Sequence, residues 1–152
     1  MWYPLLKWLH VLAAIMAVGA NLTYSIWLRR AQSEPEVLPF VLANIRLIDK
    51  RVANPCYSVL LVTGLIMAFT VGIPLTTPWL LTALSLYVLA ALLGILAYAP
   101  ASRRQRRILE AEGHESPAYR SVAHKSSWLG IAVTIDVLII VFLMVVKPPL
   151  WG

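Results

Sequence analysis

Apolar residues gather in four long runs, residues 5–28, 53–72, 78–99 and 127–146. At about 1.5 Å per helical residue, each run can cross a hydrocarbon layer of ~30 Å. The pattern predicts an all-α membrane protein, a four-transmembrane-helix antiparallel bundle forming a single domain over residues 1–152. In the first run, read at about 100° per residue, His10, Ala13, Ala14, Ala17, Asn21, Tyr24 and Ser25 share one stripe, and Trp8, Leu12, Ile15, Leu22 and Ile26 face the other way. Lipid suits the second stripe. The small and polar stripe must meet other helices or a ligand, because an imidazole among acyl chains is left without partners.

The later runs repeat this logic. Gly64, Ala68 and Gly72 recur every fourth residue in the second run, a ridge that lets another backbone approach closely and would permit a homo-oligomer. The third run places Ala83, Tyr87, Ala90, Ala91, Gly94 and Tyr98 on one face, opposite Ser85, Leu89, Leu92 and Leu96. Asn54-Pro55 is expected to start the second span, since proline suits a first helical turn. The link 73–78, with Pro74 and Pro78, predicts a tight turn that makes spans two and three an antiparallel hairpin. Phe40, Val41, Asn44, Ile45 and Ile48 recur at helical spacing, with Arg46, Asp49, Lys50 and Arg51 among them, and predict a short interfacial helix. After Pro100, residues 102–112 read as a basic helix capped by Gly113, and Ser116-Pro117 as the start of a last helix that begins before the membrane.

Composition agrees with this picture: 60% of residues are hydrophobic, 13% are charged, and mean hydropathy is +0.76. All but two of the 13 lysines and arginines lie between spans one and two or between spans three and four, leaving Lys7 and Lys147 near the opposite ends. The positive-inside rule then puts both long loops in the cytoplasm and both termini outside. The net charge of +6 is accounted for by topology and by attraction to anionic lipid headgroups, with no need of a nucleic-acid partner. Val18-Gly19-Ala20 before Asn21 has the form of a cleavage site, but Lys7 is the only early charge and the apolar run continues to Leu28, so the first helix is expected to be retained. The single cysteine, Cys56, excludes an intrachain disulfide and a cysteine-based metal set.

Three groups could carry chemistry. His10 lies ~8 Å below the outer boundary of its helix, where a neutral imidazole could be the axial ligand of a haem, with Ala13, Ala14 and Ala17 leaving room for a flat macrocycle. Equally, it could hydrogen-bond between helices. Met67 sits at similar depth in span two as a possible second iron ligand, or as core filler; His10 of a second subunit is another source. Asp136 is the only acid inside a span, near the bilayer centre, where it should face inward with Tyr87 or Thr63 as partner. A proton relay, a substrate anchor and a protonated interhelical bond are all open to it. Asn21, Tyr24 and Ser25 are expected to make interhelical hydrogen bonds.

The opening Leu6-Lys7-Trp8-Leu9-His10-Val11-Leu12 and the close Phe142-Leu143-Met144-Val145-Val146-Lys147-Pro148 resemble a bacterial family of predicted four-helix integral membrane proteins with a domain of unknown function. That resemblance covers nearly the whole chain and implies the bacterial inner membrane. The chain is also remotely similar to protoporphyrinogen oxidases of the HemJ type, which share a first-helix histidine and a Val-Val-Lys-Pro close. This resemblance implies haem binding at His10. It does not extend to the oxidase lysine in the third helix: Trp79-Leu80 is followed by Leu81, Thr82 and Ala83, with no lysine in that span. The Asn-Glu pair at the start of the fourth helix is also missing.

The sequence thus points first to a haem b membrane protein engaged in electron transfer or haem handling, with a redox partner. Its rivals are a cofactor-free structural or accessory membrane protein and a small proton-coupled transporter centred on Asp136.

Overall fold

The computed structural model describes residues 1–151, and among them helices and turns account for all regular structure. Helix α1 (Trp2–Gln32) is followed by a 3-10 turn (Pro35–Val37), α2 (Leu38–Ile48), a π-helical stretch (Asp49–Ala53) and α3 (Asn54–Val71). Then come α4 (Pro78–Leu92), a second π-helical stretch (Leu93–Tyr98), α5 (Ala99–Glu112) and α6 (Pro117–Val146). The segments join into four continuous rods long and apolar enough to span a membrane, Trp2–Gln32, Pro35–Val71, Pro78–Glu112 and Pro117–Val146. At 30 to 37 residues the rods are ~45 to 55 Å long, so each extends beyond the apolar layer at the end that carries the arginines.

The prolines do stand at element starts, α3 at Asn54 and α5 at Ala99, but the rods do not break there. Helix runs through Asn54-Pro55 and through Pro100, and in both places a π stretch ends two residues before the proline. The reason is steric. Proline brings no N–H and crowds the carbonyl four residues back; the wider turn carries that carbonyl aside, with the Asn54 N–H bonding Asp49 O and the Ala99 N–H bonding Gly94 O.

Helix ends otherwise follow their residues. Ser116 caps α6, its hydroxyl accepting the Tyr119 N–H at 3.0 Å. Gly72 takes a left-handed φ of 74° after α3, and the Ile73 N–H returns to Ala68 O at 2.9 Å. Gly113 ends α5 with φ 80°. Lys147 closes α6 and sets its ammonium 5.3 Å from the centre of the Trp79 ring, tying the ends of α6 and α4 together.

In the bundle α1 packs on α3, α4 packs on α6, and α1 meets α6. Helices α3 and α4 run antiparallel through the turn that joins them, yet no Cα of one lies within 8 Å of the other. The expected hairpin is thus a connection without a packed seam. The membrane half is held by close approach of small residues, Ala13, Ala17, Ala53, Ala68 and Ala83, and no large side chain is fully buried. Trp8, Ile15, Leu22 and Ile26 of the greasy stripe on α1 are exposed, as a lipid-facing surface requires. The larger core lies at the basic end, where Tyr24, Ala31, Leu38, Val41, Leu42, Ile45, Leu109 and Tyr119 from α1, α2, α5 and α6 pack together.

Candidate functional site

The α1–α3 seam carries the histidine. His10 Nδ1 lies 2.8 Å from Thr63 Oγ1, and Thr63 in turn donates its hydroxyl proton to the Val59 carbonyl at 2.6 Å. With that proton on the carbonyl, Thr63 is free to accept from His10 in the tautomer that carries its proton on Nδ1 and a lone pair on Nε2. The ring lies over Gly64: a Cβ placed there would be 3.1 Å from His10 Cε1. Of the ridge read in the second run, Gly64 is thus taken by His10, Ala68 is buried within the chain, and Gly72 ends the helix.

The alanines beside His10 do not leave the space expected of them. Ala13 is 4% exposed and Ala17 is fully covered, so protein occupies that side of α1. Ala14 remains half-buried. Met67 lies one turn beyond Thr63 on the same face of α3, along the seam and not across from His10. No group of three or more His, Cys, Asp or Glu side chains is placed to hold a metal among the described residues.

Deeper toward the basic end the polar stripe of α1 continues. The Asn21 amide donates to Tyr57 Oη on α3, and Tyr87 reaches from α4 to donate to the Tyr57 carbonyl at 3.1 Å, bridging the unpacked pair. Ser25 leaves the stripe: it is exposed and bonds Leu22 O of its own helix at 3.1 Å. Tyr24 is 7% exposed and its hydroxyl has no hydrogen-bond partner.

Asp136 is buried at 7% exposure, as expected of an acid within a span, but Oδ2 is unpartnered. The two partners read for it are engaged elsewhere, Tyr87 with Tyr57 and Thr63 with His10 and Val59. A hydroxyl has one proton, and both are already donated to backbone carbonyls.

One polar residue was not singled out by the sequence. Asp49, at the start of the first π stretch, is directed at the Tyr24 hydroxyl, with Tyr57 and Tyr98 also in its field. It forms no ion pair with Arg46, Lys50 or Arg51 on either side; the ion pairs of the described residues are Arg30–Glu34, Arg106–Glu110 and His114–Glu115. The signal is present in the spacing: Asp49 follows Val41 and Ile45 at four-residue intervals, in line with the apolar face of α2.

No curated protein and no solved structure matches the chain. Neither comparison supports the similarity to HemJ-type oxidases read from the histidine and the closing motif. One family does match, over residues 4–148. That span takes in all four rods but for the first two residues of the first, and the seam that holds His10, so the chain belongs to the family described as Predicted integral membrane protein (DUF2269).

Proposed function

We propose that this integral membrane protein binds haem b, with His10 Nε2 as axial ligand, and serves electron transfer or haem handling. The observation that carries the reading is the Nδ1 bond to Thr63: a histidine that ligates a metal nearly always donates its other ring proton to a fixed acceptor, which sets tautomer and orientation. The donor chemistry fits a single protein ligand. His10 would hold the group, Thr63 would orient the imidazole, and the bound iron would supply one-electron chemistry. Room for it is sought away from Ala17, on the half-buried flank with Ala14. A second ligand, where one is used, comes from Met67 after a shift or from His10 of another subunit.

The setting proposed is the bacterial inner membrane, with the basic end cytoplasmic and both termini outside. Arginine-lined grooves there, such as the one formed by Ser25, Arg29, Arg30 and Ser33, suit anionic lipid headgroups. A second reading has its own observation. The Gly64 contact and the sealed Ala17 favour a cofactor-free packing histidine.

The visible spectrum of protein purified in mild detergent, oxidised and then reduced with dithionite, separates the two. Haem binding requires a Soret band that sharpens and shifts on reduction and is lost in His10→Ala. A protein that stays colourless after haem is added overturns the proposal and leaves packing, with Asp136 as the remaining centre for a proton-coupled role.

A further inference from the structure

The first turns of α6 border a groove of about 420 Å³, closed on its other side by Ala31, Gln32, Pro35 and Leu38 from the end of α1, the 3-10 turn and the start of α2. From α6 and the residues before it come His114, Glu115, Tyr119, Arg120, His124 and Ser127. This lining offers donors in excess of acceptors. Arg120 forms no ion pair among the described residues. The Trp128 indole donates to His124 Nε2 at 2.8 Å; because an indole can only donate, Nε2 holds a lone pair and Nδ1–H is the donor that His124 has to give. Gln105 donates to Tyr119 Oη at 3.3 Å, so that bond does not use the phenolic proton. The one carboxylate of the lining, Glu115, stands before α6 begins and faces His114 Nε2 at 3.8 Å. A guanidinium among neutral donors calls for an acceptor-rich anion, and phosphate is the group it matches best.

Depth decides which phosphate. Ser127 opens the apolar run 127–146, and ten helical residues separate it from Pro117, so the groove extends ~15 Å from the edge of the apolar layer. At that edge its face of α6 continues. Arg120 and His124 are one turn apart, and Trp128, Ile131, Ile135 and Leu138 carry the same stripe onward, all of them exposed. Along the stripe a guanidinium gives way to an imidazole, an indole and then aliphatic side chains. A phospholipid presents phosphate, glycerol esters and acyl chains in that same order, and interfacial tryptophans and basic grooves are where membrane proteins hold its headgroup. A soluble phosphate ester would use only the first part.

We infer that this groove is a binding site for one anionic phospholipid, its phosphate held by Arg120 and the His124 Nδ1–H and its acyl chains laid along the Trp128–Leu138 face of α6. The recess differs from the one beside Arg29 and Arg30. The site depends neither on haem at His10 nor on which side of the membrane the basic end faces.

The test is native mass spectrometry of the full chain in mild detergent, without added haem, titrated with phosphatidylglycerol or with phosphatidylcholine of the same acyl chains. The zwitterionic headgroup carries a cation that Arg120 repels, so phosphatidylglycerol should be held roughly tenfold more tightly. Arg120 is exposed and unpaired, so Arg120→Gln should fold as the parent does while losing that preference. Arg107→Gln removes the same charge from an exposed arginine outside the groove and should keep the preference. Equal binding of the two lipids, or an equal loss in both variants, overturns the site and leaves only general attraction of the basic end for anions. Displacement of the lipid by millimolar glycerol phosphate also overturns it, by making a soluble phosphate ester the occupant.

Discussion

Gly64 offers the sharpest check on how the α1–α3 seam is built. An alanine there would bring its Cβ to 3.1 Å from His10 Cε1 and 3.7 Å from Nδ1, while carbon atoms rest at ~3.5 to 4.0 Å. The ring must retreat by about 0.5 Å, which stretches the 2.8 Å bond to Thr63 toward ~3.3 Å, the outer edge of a useful hydrogen bond. Overpacking of this kind costs about 1 to 3 kcal/mol, and alanine recovers about 1 kcal/mol in helix propensity over glycine. Gly64→Ala should therefore destabilise by ~1 kcal/mol. In a His10→Ala background the obstruction is gone, and the same change should stabilise by ~1 kcal/mol. The coupling of ~2 kcal/mol falls in the range for residues in direct contact. The assay is reversible unfolding in mixed micelles with increasing SDS, followed by tryptophan fluorescence, for the four members of the cycle. An identical cost of Gly64→Ala in both backgrounds would refute the placement of the imidazole over Gly64.

Other outcomes follow from single sites. Asp136→Leu removes a buried carboxyl with an unpartnered oxygen and should stabilise the folded protein by about 1 to 3 kcal/mol in the same micelle assay; a loss of stability would show that the carboxyl has a partner. Ser116→Ala should cost about 1 kcal/mol by deleting the cap on α6, with Ser116→Thr close to the parent.

Much of this protein is legible from residue order alone. The number of spans, their approximate limits and the inward stripe of α1 follow from hydropathy and from the 3.6-residue period. In a membrane every backbone group must be satisfied within its own segment, so local sequence decides the element. The caps at Ser116 and Gly113 were equally local. Pro55 and Pro100 mark element starts as their residue type implies, but not rod ends: in water a proline without a donor breaks a helix, whereas here a π turn absorbs it and the rod continues. What the sequence could not determine is which stripe meets which. Small residues can make room for a cofactor or for another helix, and only the packing of α1 on α3 decided that Ala17 is sealed and that Gly64 seats the ring of His10. The same holds for Asp49, whose neighbours in the chain are three exposed cations and whose neighbours in space are tyrosines from other helices. Charge order along a chain sets topology through its interaction with the membrane, but the partner of a buried side chain is fixed by helix register and crossing, which no single helix contains.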